Sequence, residues 1–158
     1  MENEKIIINP QSSCAVTGHR TLSKDLDLAN LELQFENLIK NGVDTFLVGM
    51  AVGFDTLCFQ VLEKFRLNHN IRIIACVPCV NQDLKFTLGQ KIEYKRILKS
   101  ADEIIYVSQK YDNKCMMKRN MFMVDNSNFL VAYKRKNFGG TSNTVNYALK
   151  LNKNIIYV

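Results

Sequence analysis

Cys14-Ala15-Val16-Thr17-Gly18-His19-Arg20 is the stretch that decides the fold. It is a short apolar run that ends abruptly in a small residue, a glycine, a histidine and an arginine, as a buried strand does where it stops at a ligand site. The glycine lets the backbone turn sharply and come close to a ligand. The arginine offers a planar fork of donors suited to phosphate or carboxylate. Two later stretches repeat the pattern, Gly49-Met50-Ala51-Val52-Gly53-Phe54-Asp55 and Phe138-Gly139-Gly140-Thr141. Three such strand ends in one chain indicate a single shared site.

Apolar runs alternate with helical periodicities along the whole chain. Strands are predicted over residues 12–17, 45–48, 72–77, 101–107, 129–133 and 154–158. Helices are predicted over residues 26–40, 54–67, 88–99, 114–125 and 142–151. This alternation predicts one Rossmann-like, three-layer α/β/α domain with a mostly parallel sheet of about six strands. Ligands of such sheets bind beyond the carboxyl ends of the strands, where the strand order reverses, so the three glycine-marked ends can converge there.

Helical spacing also predicts which side chains face the sheet. On the first helix these are Leu28, Leu31, Phe35, Leu38 and Ile39. On the second they are Leu57, Val61 and Phe65, and on the last Val145, Ala148 and Leu149.

The length and composition are those of an ordinary globular chain. Its 158 residues fit one domain over residues 1–158, with residues 1–11 as a loosely ordered N-terminal extension. A hydrophobic fraction of 47% beside 23% charged residues is typical of such a domain. No segment holds the roughly 18 continuous apolar residues that a membrane span needs. The first residues lack the basic start and apolar core of a secretion signal. We therefore expect a cytoplasmic protein without a membrane partner.

The formal net charge of +6 is compatible with a nucleic acid or with anionic small ligands. The cations are spread along the chain, however, and form only one tight run, Lys134-Arg135-Lys136. Aromatic residues are not interleaved with them as in a groove for single-stranded nucleic acid. A solvated lysine surface would give the same charge. Nucleic acid is therefore the less favoured partner.

Cys76-Val77-Pro78-Cys79 has the spacing of a redox motif or of half a zinc site. A structural zinc site normally needs a second pair or suitable histidines, and Cys14, Cys58 and Cys115 stand alone in the sequence. We expect a buried Cys76 on a strand, an incidental Cys79 after the turn, and neither a metal nor a cofactor.

Gly139-Gly140-Thr141-Ser142 lies between the fifth predicted strand and the last helix. Exposed N–H groups at a helix start, together with the helix dipole, form an anion site. The hydroxyls of Thr141, Ser142 and Thr144 could add hydrogen bonds to phosphate. A capped turn is the alternative, because Thr and Ser favour helix starts whatever the function. The two adjacent glycines favour a phosphate-binding loop. Gly49-x-x-x-Gly53 is similar in kind, but it is too short for a P-loop and lacks its lysine.

Five further positions carry candidate chemistry. Asp55 could accept ribose hydroxyls, or it could simply favour the dipole of its helix. His19 could be a general base, although a histidine that packs and donates one hydrogen bond is commoner. Arg119 and Asn120 lie in the middle of a methionine-rich helix. Asp125, near the end of that helix, opposes the dipole preference, which suggests a specific partner such as Arg20 or Arg119, although surface exposure would explain it too.

Four motifs together resemble the SLOG superfamily, which includes the Lonely Guy nucleotide phosphoribohydrolases and DNA-processing protein A. They are Val16-Thr17-Gly18-His19-Arg20, Gly49-Met50-Ala51-Val52-Gly53-Phe54-Asp55, Lys118-Arg119-Asn120-x-x-Met123-x-x-Asp125 and Gly139-Gly140-Thr141-x-x-Thr144-x-x-Tyr147-Ala148. The likeness is strongest to small stand-alone bacterial and phage members of uncertain function. The resemblance implies a Rossmann-like sheet that binds a nucleotide or a nucleotide-derived ligand, often within a homodimer or a higher homo-oligomer. The ligand-binding residues it suggests are Thr17, Gly18, His19, Arg20, Gly49, Met50, Ala51, Gly53, Asp55, Arg119, Asn120, Asp125, Gly139, Gly140, Thr141, Ser142 and Thr144.

The sequence departs from the hydrolytic branch of that superfamily, which resembles Pro-Gly-Gly-x-Gly-Thr-x-x-Glu and uses the glutamate with an upstream arginine in catalysis. Phe138 replaces the proline, and no carboxylate occurs from Gly139 to Val158. Cleavage of an N-glycosidic bond benefits from a carboxylate near the developing positive charge. The sequence thus favours a protein that senses or sequesters a nucleotide-derived ligand. One alternative is a phosphoribohydrolase or deoxyribosyltransferase-like enzyme with Asp55 and Arg119 as catalytic candidates. Another is a DNA-binding module.

Overall fold

The computed structural model describes residues 5–158. Its strands are β1 (Ser13–Gly18), β2 (Thr45–Val48), β3 (Arg72–Val77), β4 (Glu103–Tyr106), β5 (Phe129–Tyr133) and β6 (Asn154–Tyr157). Its helices are α1 (Leu28–Lys40), α2 (Phe54–Arg66), α3 (Leu88–Ser100), α4 (Cys115–Asp125) and α5 (Gly140–Lys150). Short 3-10 turns cover Pro10–Ser12 and Gln82–Lys85. The predicted N-terminal extension falls in part on residues 1–4, which lie outside the described range.

The six strands form one sheet in the order β4-β3-β2-β1-β5-β6, and every pair of neighbours is parallel. Successive side chains of a strand point to opposite faces of a sheet. Cys14 and Val16 accordingly belong to one core cluster and Ala15 to the other. The first cluster holds the buried side chains of α1, α2 and α3, and the second holds those of α4 and α5. The predicted three-layer α/β/α fold is confirmed.

The strand order fixes where a site can lie. From β1 the chain proceeds outward through β2 and β3 to β4, and it then returns to the other side of β1 to form β5 and β6. The order therefore reverses between β1 and β5. A crevice opens at such a reversal because the loops after the two strands diverge to opposite faces of the sheet.

The predicted element bounds agree with the structure to within about two residues, and the differences fall at element ends. Two of the predicted inward side chains are wrong, since Leu28 is 44% exposed and Leu149 is 53% exposed. Leu28 is the first residue of α1 and Leu149 lies in the last turn of α5. Fewer neighbouring elements cover a side chain in a terminal turn, so periodicity alone overestimates burial there.

The five cysteines are all free and all buried. Burial raises the pKa of the Cys14 and Cys76 thiols to about 12 and raises the pKa of the Cys79 thiol as well. Thiols held in this way are poor nucleophiles at neutral pH. Within residues 5–158, no three side chains of the metal-ligating types come together, and no helix is both long enough and apolar enough to cross a membrane.

Candidate functional site

A cavity of about 370 Å³ lies at the reversal between β1 and β5, beyond the carboxyl ends of the strands. We call it the first cavity. Its walls come from the end of β1, the loop after β2, the middle of α4 and the start of α5. The lining residues are Val16, Thr17, Gly18, His19, Arg20, Ala51, Asp55, Met116, Arg119, Asn120, Lys136, Phe138, Gly139, Gly140 and Thr141. All three glycine-marked strand ends therefore contribute to one site.

The start of α5 forms the electropositive wall of the first cavity. The helix begins at Gly140, its N-cap is Gly139 with φ 91°, and no described side chain caps it. The N–H groups of its first turn are therefore available to an anion beside the positive end of the helix dipole. Arg20 and Lys136 line the same cavity. Within residues 5–158, Arg20 makes no ion pair, so its charge is free to meet a ligand.

Opposite that wall lie a carboxylate and a guanidinium that are almost fully buried. Asp55, in the first turn of α2, is 7% exposed, and Arg119 of α4 is 5% exposed. Asp55 Oδ2 accepts the Ala51 N–H at 3.1 Å. Arg119 donates to the carbonyl of Gly49 through Nη1 and to Asn120 Oδ1 through Nε at 2.8 Å. These bonds hold both charged groups in place without a ligand.

Gly49 follows β2 and leaves room for the side chains of Asp55 and Arg119. A Cβ atom at this position would stand 2.9 Å from Asp55 Oδ2 and 3.0 Å from Arg119 Cζ. Any larger residue would therefore push the carboxylate and the guanidinium apart. The role of Gly49 is to pack against this pair rather than to line the cavity.

Burial raises the pKa of Asp55 to about 6, and the charge of Arg119, the Ala51 N–H and the charge of Arg20 limit the rise. Burial also lowers the pKa of Arg119, which the Asp55 charge opposes. A carboxyl with a pKa near 6 exchanges protons within the range that general acid–base chemistry uses. An ionised Asp55 can equally accept hydrogen bonds from ligand hydroxyls.

His19 joins the loop after β1 to the loop after β5. Its Nε2 accepts the Arg135 N–H at 2.8 Å, and its ring contacts Tyr133 edge-on at 5.5 Å between centroids. Burial, with the charges of Lys136 and Arg135, lowers the pKa of His19. The imidazole thus packs and holds a hydrogen bond, as expected, but at Nε2 it accepts that bond instead of donating it.

The comparisons with known proteins bear on this arrangement. A model of the YspA SLOG family matches residues 27–157. The chain belongs to the YspA SLOG family. The superfamily resemblance drawn from the four motifs is confirmed, although this match begins after the first motif.

The chain is also similar to two curated proteins. The chain is 34% identical over 142 residues to the uncharacterized SPbeta prophage-derived protein YoqJ of Bacillus subtilis, a match that covers 80% of each chain. It is 25% identical over 123 residues to a UPF0398 protein of Halalkalibacterium halodurans, a match that covers 75% of this chain and 65% of the relative. The match thus spans less than two thirds of the second relative.

Two solved structures of DNA processing protein A share the fold of this SLOG chain. The protein from Helicobacter pylori, described for its single-stranded DNA binding mode, superimposes with a TM-score of 0.67 at 17% identity over 94% of this chain and 65% of its own. The protein from Streptococcus pneumoniae gives a TM-score of 0.65 at 17% identity over 92% of this chain and 49% of its own. At such identities the likeness concerns the fold alone.

Several of the predicted ligand-binding residues lie outside the first cavity. Met50 and Gly53 face a neighbouring cavity of about 360 Å³ between α2 and α3. Ser142 is 2% exposed, and Thr144 donates its hydroxyl to the Gly140 carbonyl at 2.8 Å. Of the three hydroxyl side chains predicted to meet phosphate, only that of Thr141 lines the first cavity.

Asp125 also lies outside the first cavity. Its carboxylate accepts a hydrogen bond from the Tyr147 hydroxyl at 2.5 Å, which ties the end of α4 to α5. The prediction that Arg20 or Arg119 is the partner of Asp125 is therefore wrong. The dipole cost of an acidic residue at a helix end is offset here by contact with a second helix rather than by a cation.

Four residues that line the first cavity are absent from the predicted ligand-binding set, namely Val16, Met116, Lys136 and Phe138. Met116 lies one turn before Arg119 on α4, so helical spacing from Arg119 could have found it. Lys136 and Phe138 belong to the loop before α5, and the Lys136 ammonium lies 5.7 Å from the centroid of the Phe138 ring. Their loop carries no regular pattern, and Phe138 is 72% exposed.

A larger cleft of about 590 Å³ lies between α2 and α3, away from the strand ends. Three of its four charged lining side chains are already paired, because Arg96 bonds both Glu63 and Glu93 and Arg66 bonds Asp102, and Lys64 is the fourth. Paired surface charges leave little free charge for a ligand. The first cavity is therefore the candidate functional site.

Proposed function

We propose that the protein binds a nucleotide or a nucleotide-derived ligand in the first cavity and acts as a sensor or a sequestering protein. The observation that carries the proposal is the pairing of an uncapped helix start at Gly139–Gly140 with the unpaired Arg20 in one cavity at the strand-order reversal. Helix starts and arginine forks together suit phosphate. Asp55 and Asn120 line the same cavity and offer hydrogen-bonding groups to a sugar.

Binding without turnover is favoured by the chemistry of the loop. No carboxylate occurs from Gly139 to Val158. A developing positive charge at a sugar next to α5 would therefore depend on Asp55, which is held by the Ala51 N–H and by the field of Arg119. A carboxylate that is held by these two groups has less freedom to act on a substrate.

The first test is mass spectrometry of small molecules released from the purified protein, followed by calorimetry with mono- and diphosphates of the common nucleosides. We expect an intact ligand and saturable binding to the wild type. Arg20→Gln should weaken binding roughly tenfold or more, because a hydrogen bond to a charged group contributes about 1.5–3 kcal/mol. Lys150→Gln, an equal charge change in the exposed last turn of α5, serves as the control. If no nucleotide binds the wild type, the proposal is wrong.

Release of a free base would instead make the protein a phosphoribohydrolase or a deoxyribosyltransferase-like enzyme. In that case Asp55→Asn and Arg119→Ala should each abolish base release while the fold is retained. Recovery of the unchanged nucleotide after long incubation argues against turnover.

A second candidate function is binding of single-stranded DNA. It is favoured by the fold likeness to DNA processing protein A of Helicobacter pylori, which is described as binding single-stranded DNA. The run Lys134-Arg135-Lys136 lies in the loop next to the first cavity. Fluorescence anisotropy with a labelled oligothymidine tests it, with Lys134→Gln as the variant. Unchanged anisotropy at micromolar protein in low salt would exclude this function.

A further inference from the structure

A second cavity of about 430 Å³ opens beside the first, over the carboxyl ends of β2 and β3. Three residues, Arg20, Ala51 and Met116, line both cavities. The two therefore form one continuous groove along the edge of the sheet, and a single molecule can extend from one into the other.

The walls of the two cavities differ in chemistry. The first has the start of α5, Lys136, Asp55 and Arg119. The second has the apolar and aromatic side chains of Leu84, Phe86, Tyr111 and Met116, together with the polar side chains of Arg20, Asn81, Gln82, Lys85 and Gln90. Tyr111 is 64% exposed and Leu84 is 66% exposed. Flat aromatic ligands stack on side chains of this kind.

Gln82 is the buried one among the polar side chains that line the second cavity. It lies in the 3-10 turn Gln82–Lys85, lines the second cavity and is only 9% exposed. Its Oε1 is buried and accepts no hydrogen bond from any described residue. Buried carbonyl oxygens are nearly always hydrogen-bonded, since an unpaired one loses its contacts with water without compensation. Once the side-chain amide turns toward the second cavity, a donor from a bound molecule satisfies this acceptor.

We propose that the second cavity holds the base of the nucleotide, and that Gln82 accepts a hydrogen bond from an exocyclic amino group on that base. This inference rests on the proposed function, because the phosphate and sugar are taken to occupy the first cavity. Arg20, at the junction, lies between the two halves of the ligand. Adenine, guanine and cytosine carry such an amino group.

Two comparisons of ligands test the assignment by calorimetry on the full chain. Ribose 5-phosphate lacks a base, and purine riboside 5′-phosphate lacks the amino group of adenosine 5′-phosphate. We expect ribose 5-phosphate to bind the wild type at least tenfold more weakly than the best of adenosine, guanosine and cytidine 5′-phosphates, since stacking of a base has about this effect. Equal affinity for ribose 5-phosphate would overturn the inference.

Two variants locate the base. Tyr111→Ala should weaken nucleotide binding roughly tenfold while leaving ribose 5-phosphate binding unchanged. Tyr157→Ala, at a tyrosine of comparable 55% exposure on the edge strand β6, is the matched control and should change neither. An equal loss of both ligands in Tyr111→Ala would mean that this side chain acts on the first cavity, which contradicts the assignment.

Gln82→Met removes the acceptor but keeps a side chain of similar length. We expect it to weaken adenosine 5′-phosphate severalfold and to leave purine riboside 5′-phosphate unaffected if adenine is the base. The same comparison with guanosine and inosine 5′-phosphates covers the amino group of guanine. Gln11→Met, at an exposed position in the 3-10 turn before β1, controls for the substitution itself. A Gln82→Met protein with wild-type affinity for every ligand would overturn the role of Gln82.

The two proposals fail in different ways. If nucleotides and ribose 5-phosphate all fail to bind, the proposed function is wrong and this inference falls with it. Suppose instead that these ligands bind the wild type and bind Arg20→Gln more weakly, but that nucleotides and ribose 5-phosphate have equal affinity. Then only the base assignment is wrong.

Discussion

The ionisation of Asp55 affects stability between about pH 4 and pH 7. Its pKa rises from 3.8 to about 6 on folding, mainly through burial. A raised pKa means that the folded state binds the proton more tightly than the unfolded state. The resulting stabilisation is complete below about pH 4 and is lost as pH rises through about 6.

Asp55→Asn should remove this pH dependence. The free energy of unfolding of the wild type, taken relative to the variant, should fall by on the order of 2–3 kcal/mol between pH 4 and pH 7. Urea titrations followed by circular dichroism measure it, as the chain has no tryptophan. Asp112→Asn changes an exposed carboxylate and should keep the wild-type trend. A constant difference between wild type and Asp55→Asn would contradict the buried-acid interpretation.

The pKa of His19 shifts in the opposite direction, so its effect on stability has the opposite dependence on pH. Its pKa is lowered from 6.5 on folding, with burial as the largest cause. The stabilisation from the neutral imidazole is therefore present above about pH 6.5 and is lost as pH falls. Protonation would also remove the Nε2 lone pair that accepts the Arg135 N–H.

NMR titration of the two imidazoles checks this. The chain has only two histidines, so His69→Gln leaves the His19 resonance alone. We expect its midpoint below pH 6.5, the ordinary histidine value. A midpoint at or above 6.5 would show that the hydrogen bond to the loop after β5 is not maintained in solution.

At the scale of elements, α2 can start beside β1 only because residue 53 is glycine. Gly53 has φ 84°, and a Cβ there would stand 2.2 Å from the Arg20 carbonyl oxygen. Both backbone strain and a clash with backbone oppose a side chain at this position.

A series of alanine substitutions separates strain from clash. Gly53→Ala carries both and should cost about 2–6 kcal/mol. Gly42→Ala has φ 98° with nothing within 4 Å and should cost about 1–2 kcal/mol from strain alone. Gly89→Ala in the first turn of α3 has neither problem and should be neutral or up to about 1 kcal/mol stabilising. Thermal denaturation ranks the three variants by stability. If Gly53→Ala is as stable as Gly42→Ala, the clash with the Arg20 carbonyl does not contribute.

The sequence predicted elements better than it predicted the site. Apolar runs and amphipathic helix patterns are recognised from the spacing of neighbouring residues. For this reason β2, β3 and β5 begin and end as predicted. The convergence of the three glycine-marked strand ends was also foreseeable, since parallel strands share a carboxyl edge. The second cavity was not. Gln82 and Tyr111 lie in irregular loops between elements, and only the folded chain brings them to the same edge.

The functions assigned to the motif glycines show the same limit. Gly18 lines the first cavity, and a Cβ there would also meet the Phe54 ring at 2.4 Å, so this glycine makes room for α2 as well. Gly49 packs against Asp55 and Arg119. A glycine marks close approach in a sequence, but only the structure shows what approaches it.

At the scale of the whole molecule, the net charge of +6 suits both a small anionic ligand and a nucleic acid, and the salt dependence of binding distinguishes the two. Each phosphate neutralised on a single strand adds about 0.7 to the slope of log affinity against log salt. From 50 to 200 mM salt, a strand held through three phosphates should lose about twentyfold in affinity. A nucleotide monophosphate releases no condensed counterions, so its affinity for the first cavity should fall only through screening and much less steeply.

We expect the shallow dependence, because the cations that line the first cavity are few and the exposed lysines are spread along the chain. Calorimetry with the best-binding nucleoside monophosphate and anisotropy with a labelled oligothymidine, each at 50, 100 and 200 mM salt, give the two slopes. A steep slope for the oligonucleotide at an affinity that exceeds that of the nucleotide would make nucleic acid the preferred partner. A shallow slope for the nucleotide with no oligonucleotide binding would instead mean that the positive surface steers small anions toward the groove without holding a polymer.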